Sequence, residues 1–123
     1  TSYRQAITLQ SDFPIAHNNL GVTLTGLSRL AGAEVSYMKA ILLKPDYNEP
    51  YNNLANLLNQ LGRMEEAEAN YRQAIHLKTD YQSAISGLGD VLLRKGQYKE
   101  GLNNLKIAEG TILFNSENGI YIK

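Results

Sequence analysis

A step of 34 residues runs through this chain. It separates Tyr3, Tyr37, Tyr71 and Leu105, and likewise Ala6, Ala40, Ala74 and Ala108. Shorter columns keep the same register: Leu20, Leu54 and Leu88; Gly21, Ala55 and Gly89; Ala33, Ala67 and Gly101. Even a loop repeats, as Asp12-Phe13, Asp46-Tyr47 and Asp80-Tyr81. So many columns in one register mark an array of similar units, each burying its apolar face only by leaning on the next.

Inside each unit the apolar spacing is helical. His17, Leu20, Gly21 and Leu24 stand at i, i+3, i+4 and i+7, as do Tyr51, Leu54, Ala55, Leu58 and Ile85, Leu88, Gly89, Leu92. A second helix follows each time, carrying Ala33, Tyr37, Ala40 or Ala67, Tyr71, Ala74. Small residues facing large ones let paired helices approach closely. Gly62 and Gly96 stop helices within the hairpins, Pro45 separates two units, and Asp46 with Glu49 has the spacing of a capping pair. Helices are expected at about 2–10, 14–27, 31–43, 48–61, 64–77, 82–95 and 98–109. The expected architecture is all-α, a right-handed superhelix of antiparallel helix pairs.

Asn53-Leu54-Ala55, then Gly62, Glu66-Ala67, Tyr71 and Ala74, with Pro45 ahead of the helix pair, resembles the tetratricopeptide repeat. The resemblance covers about residues 3–109 and divides the chain into a half repeat (1–13), repeats 14–47, 48–81 and 82–110, and a tail (111–123). It implies an α-solenoid and a scaffold that meets other proteins, with the partner unspecified. Thr79 and Ser11 stand where proline is usual, His17 and Ile85 where an aromatic is common, and Gly101 where alanine is. The third hairpin is therefore expected to be the softest.

Both ends depart from the period. Tyr3-Arg4-Gln5-Ala6-Ile7 matches Tyr71-Arg72-Gln73-Ala74-Ile75, so the chain opens inside a second helix. After Gly110, two β-prone runs flank a polar segment ending in Asn118-Gly119, which reads as a hairpin. Three accounts fit this tail: a cap over Leu105 and Ala108, the beginning of a further domain, or a frayed end.

Composition narrows the function. Twelve basic residues balance twelve acidic ones, so the basic excess of a nucleic-acid binder is missing. No cysteine is present, which removes disulfides and thiolate chemistry and leaves the redox compartment open. No run approaches the ~18 apolar residues of a membrane span, and the first residues have no signal-peptide layout. The cytoplasm is favoured as a compartment without being fixed. His17 and His76 occupy non-equivalent positions, and Glu65, Glu66 and Glu68 suit a helix N-terminus and a solvated face. No phosphate loop, nucleophile elbow or zinc-binding histidine pair occurs, so neither catalysis nor a cofactor or metal is expected.

The first helix of each pair should line the concave side. Six of the twelve asparagines fall on its non-core positions: Asn18, Asn19, Asn52, Asn53, Asn56 and Asn59, joined by Ser86 and Asp90. A primary amide donates two hydrogen bonds and accepts others, so a series of them can hold an extended peptide by its main chain. The stretch is similar to the repeat superhelix of O-GlcNAc transferases, and Asn19 and Asn53 occupy positions where that superhelix carries an asparagine ladder. Gly87 interrupts the ladder at its third rung. The plainer reading is that these amides are family composition making local hydrogen bonds. Repeats that clamp a carboxylate tail place Lys and Arg along the groove; here Asn, Ser and Gly stand there, with Glu49 and Asp90 adding negative charge.

Three functions follow as expectations. The first is a scaffold binding an extended peptide segment in the Asn-rich groove. The second is a self-assembly module stacking through the array ends as a homo-oligomer. The third is the targeting arm of a larger multidomain enzyme.

Overall fold

A computed structural model describes residues 13–110 and the backbone of 112–115 and 119–122. The described helices are α1 (Pro14–Gly26), α2 (Leu30–Leu43), α3 (Asn48–Gln60), α4 (Met64–Leu77), α5 (Gln82–Arg94) and α6 (Tyr98–Ala108). Each lies within two residues of its expected span. The expected helix at 2–10 lies outside the described residues. Helices pair as α1/α2, α3/α4 and α5/α6, and the second helix of each pair packs on the first helix of the next. The first helices α1, α3 and α5 also touch in succession, forming one side of an all-helical solenoid.

The core is a continuous apolar seam through the stack. Ala33, Tyr37, Leu54, Ala55, Leu57, Leu58, Ala67, Tyr71, Ala74, Leu88, Val91 and Leu92 are all buried. In the third pair the two glycines meet: a Cβ on Gly101 would lie 3.0 Å from the Gly89 carbonyl oxygen, and one on Gly89 equally close to that of Gly101. Leu20 departs from its column. It is 48% exposed, whereas Leu54 and Leu88 are 6% and 3% exposed. Those two are covered because α3 leans on α2 and α5 on α4, while α1 has no preceding pair among the described residues.

Each hairpin closes with the same hydrogen bonds. Arg29, Arg63 and Gln97 donate their backbone N–H to the carbonyls of Leu24, Leu58 and Leu92 at 2.8–2.9 Å. One residue earlier, Ser28, Gly62 and Gly96 donate to Thr25, Asn59 and Leu93 at 3.0–3.1 Å. This six-to-one and five-to-two pattern requires a left-handed residue after the helix. Gly62 and Gly96 supply it at φ of 79° and 85°, and Ser28 is driven to 62° at the equivalent place.

The expected capping pair is not formed. α3 begins at Asn48 after an N-cap at Tyr47 that makes no side-chain capping bond. Pro50 then falls on the third helical residue, whose N–H a capping side chain would have used, and proline has none.

The tail forms an antiparallel hairpin of β1 (Ile112–Asn115) and β2 (Gly119–Ile122). Ile112 stands opposite Ile122, Phe114 opposite Ile120, and Asn115 opposite Gly119. Gly119 is thus the first residue of β2. A cap over Leu105 and Ala108 would involve side chains outside the described residues.

Candidate functional site

The eight polar residues singled out in the sequence fall into two sets. Asn18 and Asn52, 34 residues apart, are only 3% and 4% exposed. They lie in the seam between successive first helices. Asn18 donates Nδ2 to the Tyr47 hydroxyl at 3.3 Å and accepts from Asn53 Nδ2 on Oδ1 at 3.0 Å. Asn52 donates to Ser83 Oγ at 3.1 Å, while its buried Oδ1 has no partner among the described residues. Ser86, the third member of this column, is exposed because no further pair covers it among the described residues. Asn18 and Asn52 thus join one repeat to the next, through partners 29 to 35 residues away rather than through local bonds.

The other set faces the solvent. Asn19, Asn56, Ser86 and Asp90 are exposed, and Asn53 and Asn59 are half-buried. Asn56 Oδ1 accepts the Tyr71 hydroxyl. Asn59 donates Nδ2 to Asp90 Oδ2 at 2.9 Å and receives Arg94 on both its side-chain oxygen and its carbonyl, the latter at 2.9 Å. These residues lie on the successive first helices α1, α3 and α5. The line runs from Ile15, Asn19 and Val22 through Asn53 and Asn56 to Ser86 and Asp90. Asn19 borders a depression of about 720 Å³ lined also by Phe13, Pro14, Ile15, Ala16, Lys44 and Tyr47.

The third rung is empty for a packing reason. A Cβ at Gly87 would fall 2.7 Å from the Tyr71 hydroxyl oxygen and closer still to its ring, so any side chain there displaces the tyrosine. Burial pushes the Tyr71 phenol up to about 12, with the Asp90 carboxylate adding to the shift.

Tyr47 and Tyr81 did not stand out in the sequence as polar anchors, although their loop column did. Tyr47 links Asn18 to Glu49, donating to Glu49 Oε2 at 3.2 Å. Burial raises its phenol, and Glu49 raises it further. Lys44 and Lys78 sit over the rings of Tyr47 and Tyr81, 5.9 and 5.3 Å from the centroids.

The opposite side of the stack carries charge already spent on neighbours. Arg63 grips Glu34 of the preceding pair at 2.8 and 3.0 Å and Glu66 at 2.7 and 2.9 Å. Lys95 reaches back to Glu65 at 2.9 Å and Glu68 at 2.6 Å, and Arg72 joins Glu68 to Glu100 at 3.0 and 2.9 Å. Glu65 and Glu66 do sit in the first turn of α4, but these carboxylates also tie repeats together. His17 is half-buried and His76 exposed in the last turn of α4. Among the described residues no group of three His, Asp or Glu is placed to hold a metal ion, and no helix is long and apolar enough to cross a membrane.

Family models confirm the repeat directly. A tetratricopeptide-repeat model matches residues 15–47 and a second TPR-repeat model residues 55–96, together more than half of the chain. The chain belongs to the tetratricopeptide-repeat family. No curated protein matches it in sequence. Solved structures share the fold of this tetratricopeptide-repeat chain at low identity. YrrB, described as a TPR protein with an unusual peptide-binding site, is 23% identical with a TM-score of 0.80 over 89% of this chain and 57% of its own. MamA is 22% identical with a TM-score of 0.79 over 85% of this chain and 61% of its own. The TPR2B domain of yeast Sti1, solved as a complex with pHsp70, is 22% identical with a TM-score of 0.76 over 79% and 78%. The chain thus spans about three fifths of MamA and of YrrB.

Proposed function

We propose that this chain is a protein-interaction scaffold whose first helices, α1, α3 and α5, wall a trough that holds an extended peptide by its main chain. The observation that carries the reading is the line of amides on adjacent first helices, exposed Asn19 and Asn56 with half-buried Asn53 between them, beside an open depression. Each amide offers donors and an acceptor to backbone C=O and N–H groups, which every peptide possesses. Structural neighbours that bind peptides, YrrB and the Sti1 domain, share the fold and lend support to this use of it. The reading requires no catalytic residue, cofactor, metal or nucleic acid.

Asn19 provides the cleanest test, because it is exposed and makes no hydrogen bond among the described residues. Peptides selected from a random library on the wild-type protein should bind Asn19→Ala several-fold more weakly at unchanged helicity. Selected peptides that ignore Asn19→Ala, and that protect no amide proton of α1, α3 or α5, would refute the trough as the site.

A further inference from the structure

The trough is not uniform along its length. On α1 the exposed residues flanking Asn19 are apolar: Ile15 is 63% and Val22 50% exposed, with Phe13 at 57% beside them. On α3 the equivalent stretch is amide-rich. On α5 it is small and acidic, with Ser86 and Asp90 flanking Gly87.

The acidic end is open in a way that no carboxylate within the second helices is. Glu34, Glu65, Glu66, Glu68 and Glu100 each hold an arginine or lysine. Among the described residues, neither Glu49 nor Asp90, the two helical carboxylates on the trough side, has a cation within ion-pair distance. Asp90 receives only Asn59 on Oδ2. Arg94, one turn further along α5, directs its guanidinium to Asn59. A carboxylate left without a cation beside amides attracts a positively charged group on a ligand.

Resting on the peptide-binding reading above, we infer that the trough selects an extended peptide with two fixed features. An apolar side chain seats in the depression formed by Phe13, Ile15 and Ala16, and a lysine or arginine meets Asp90. Two steps between neighbouring helices, each roughly 8–10 Å, separate these anchors. Asp90 is also the equivalent of Val22, seven residues along the axis from Ile15, an offset of about 10 Å. An extended chain advances about 3.3 Å per residue, so the two side chains belong about six or seven positions apart. Between them the amides of α3 bind main chain and tolerate any side chain.

The probes are N-acetylated, C-amidated octapeptides with leucine at the first position, arginine at the seventh, and serine or alanine elsewhere. A second probe has the order reversed, since the amides serve either chain direction. In matched controls citrulline, a neutral shape mimic, replaces arginine, or glycine replaces leucine. The better-binding arginine probe should bind wild type about threefold to tenfold more tightly than its citrulline control, with the gap closing in high salt. Asp90→Asn, which keeps the acceptor for Asn59, should remove that gap, and Asp90→Lys should reverse it toward a glutamate-bearing probe. Ile15→Ser should weaken only leucine-bearing probes, whereas Asn19→Ala should weaken all of them alike. Equal binding of arginine and citrulline probes would overturn the inference, and so would failure of both arginine probes to bind wild type. If library-selected peptides still depended on Asn19 in that case, the trough would remain the site and only its charge preference would fall.

Discussion

The ring of Tyr71 lies over Gly87 of the following helix pair, whereas Tyr37, 34 residues earlier, lies over Gly21 of its own pair. In each case the tyrosine enters the one neighbouring position without a side chain. Tyr71 finds Ala55 where Tyr37 finds Gly21, and Tyr37 finds Asn53 where Tyr71 finds Gly87. The glycine sets the direction of the ring, and through it the place where the amide ladder ends.

Gly87→Asn should therefore fail to extend the ladder. It overfills the seat of Tyr71 and should cost about 2–3 kcal/mol in urea unfolding. Adding Ala55→Gly opens the alternative seat, and the double variant should recover much of that loss despite the helix-propensity cost of glycine, about 1 kcal/mol. Purely additive losses would contradict this account of the ring.

Ser28 occupies a backbone conformation that its two counterparts meet with glycine. Ser28→Gly relieves that strain, offset in part by the greater freedom of glycine in the unfolded chain. A net gain of about 0.5–1 kcal/mol is expected, raising Tm by roughly 2–6 °C. Calorimetry showing a lower Tm would contradict it.

Asn18 and its neighbour Asn19 should behave in opposite ways. Asn18→Ala removes a buried amide and orphans two groups of the next pair, the Tyr47 hydroxyl and the Asn53 amide, so stability should fall by about 1–2 kcal/mol. Asn19→Ala changes an exposed side chain, so stability should stay within about 0.5 kcal/mol while peptide affinity falls. Chemical denaturation and peptide titration of the same two variants separate the roles.

The acid limb of stability should depend on the charged ties between repeats. Hydrogen bonds from Lys95, and secondarily from Arg72, hold the Glu68 carboxyl below its ordinary 4.5 despite partial burial. A depressed folded-state value contributes stability above the unfolded value and loses it as pH falls through the folded one. The urea midpoint should accordingly drop below about pH 4.5. Glu68→Gln should lower the midpoint at pH 7 and flatten the acid slope, so that the two proteins converge near pH 3. An unchanged acid slope would show that the pair is solvent-screened.

Most of the fold was legible because the period repeats the same packing problem. Helix limits, the glycine stops and the Tyr71 and Ala74 core positions follow from spacing alone. The division of the asparagines was not legible. Asn18 and Asn19 are adjacent on one helix turn, and only the placement of the next pair decides that the first enters the seam while the second stays exposed. Gly87 looked like a lost rung, although its role is to admit a ring from a residue 16 positions earlier. The carboxylates of α4 looked merely solvated: Arg63 and Arg72 stand within a turn of Glu66 and Glu68, but Lys95, which ties Glu65 and Glu68 to the next pair, lies about 30 residues on.

Backbone methylation of a bound peptide tests main-chain recognition most directly. A library-selected binder is resynthesised with N-methyl groups at successive central positions, and its affinity is compared with that of an alanine scan at the same positions. Alternate N-methyl groups should each cost tenfold or more, while central alanine substitutions should change affinity less than threefold. A peptide that tolerates N-methylation throughout but loses binding on central alanine substitution would contradict recognition by the trough amides.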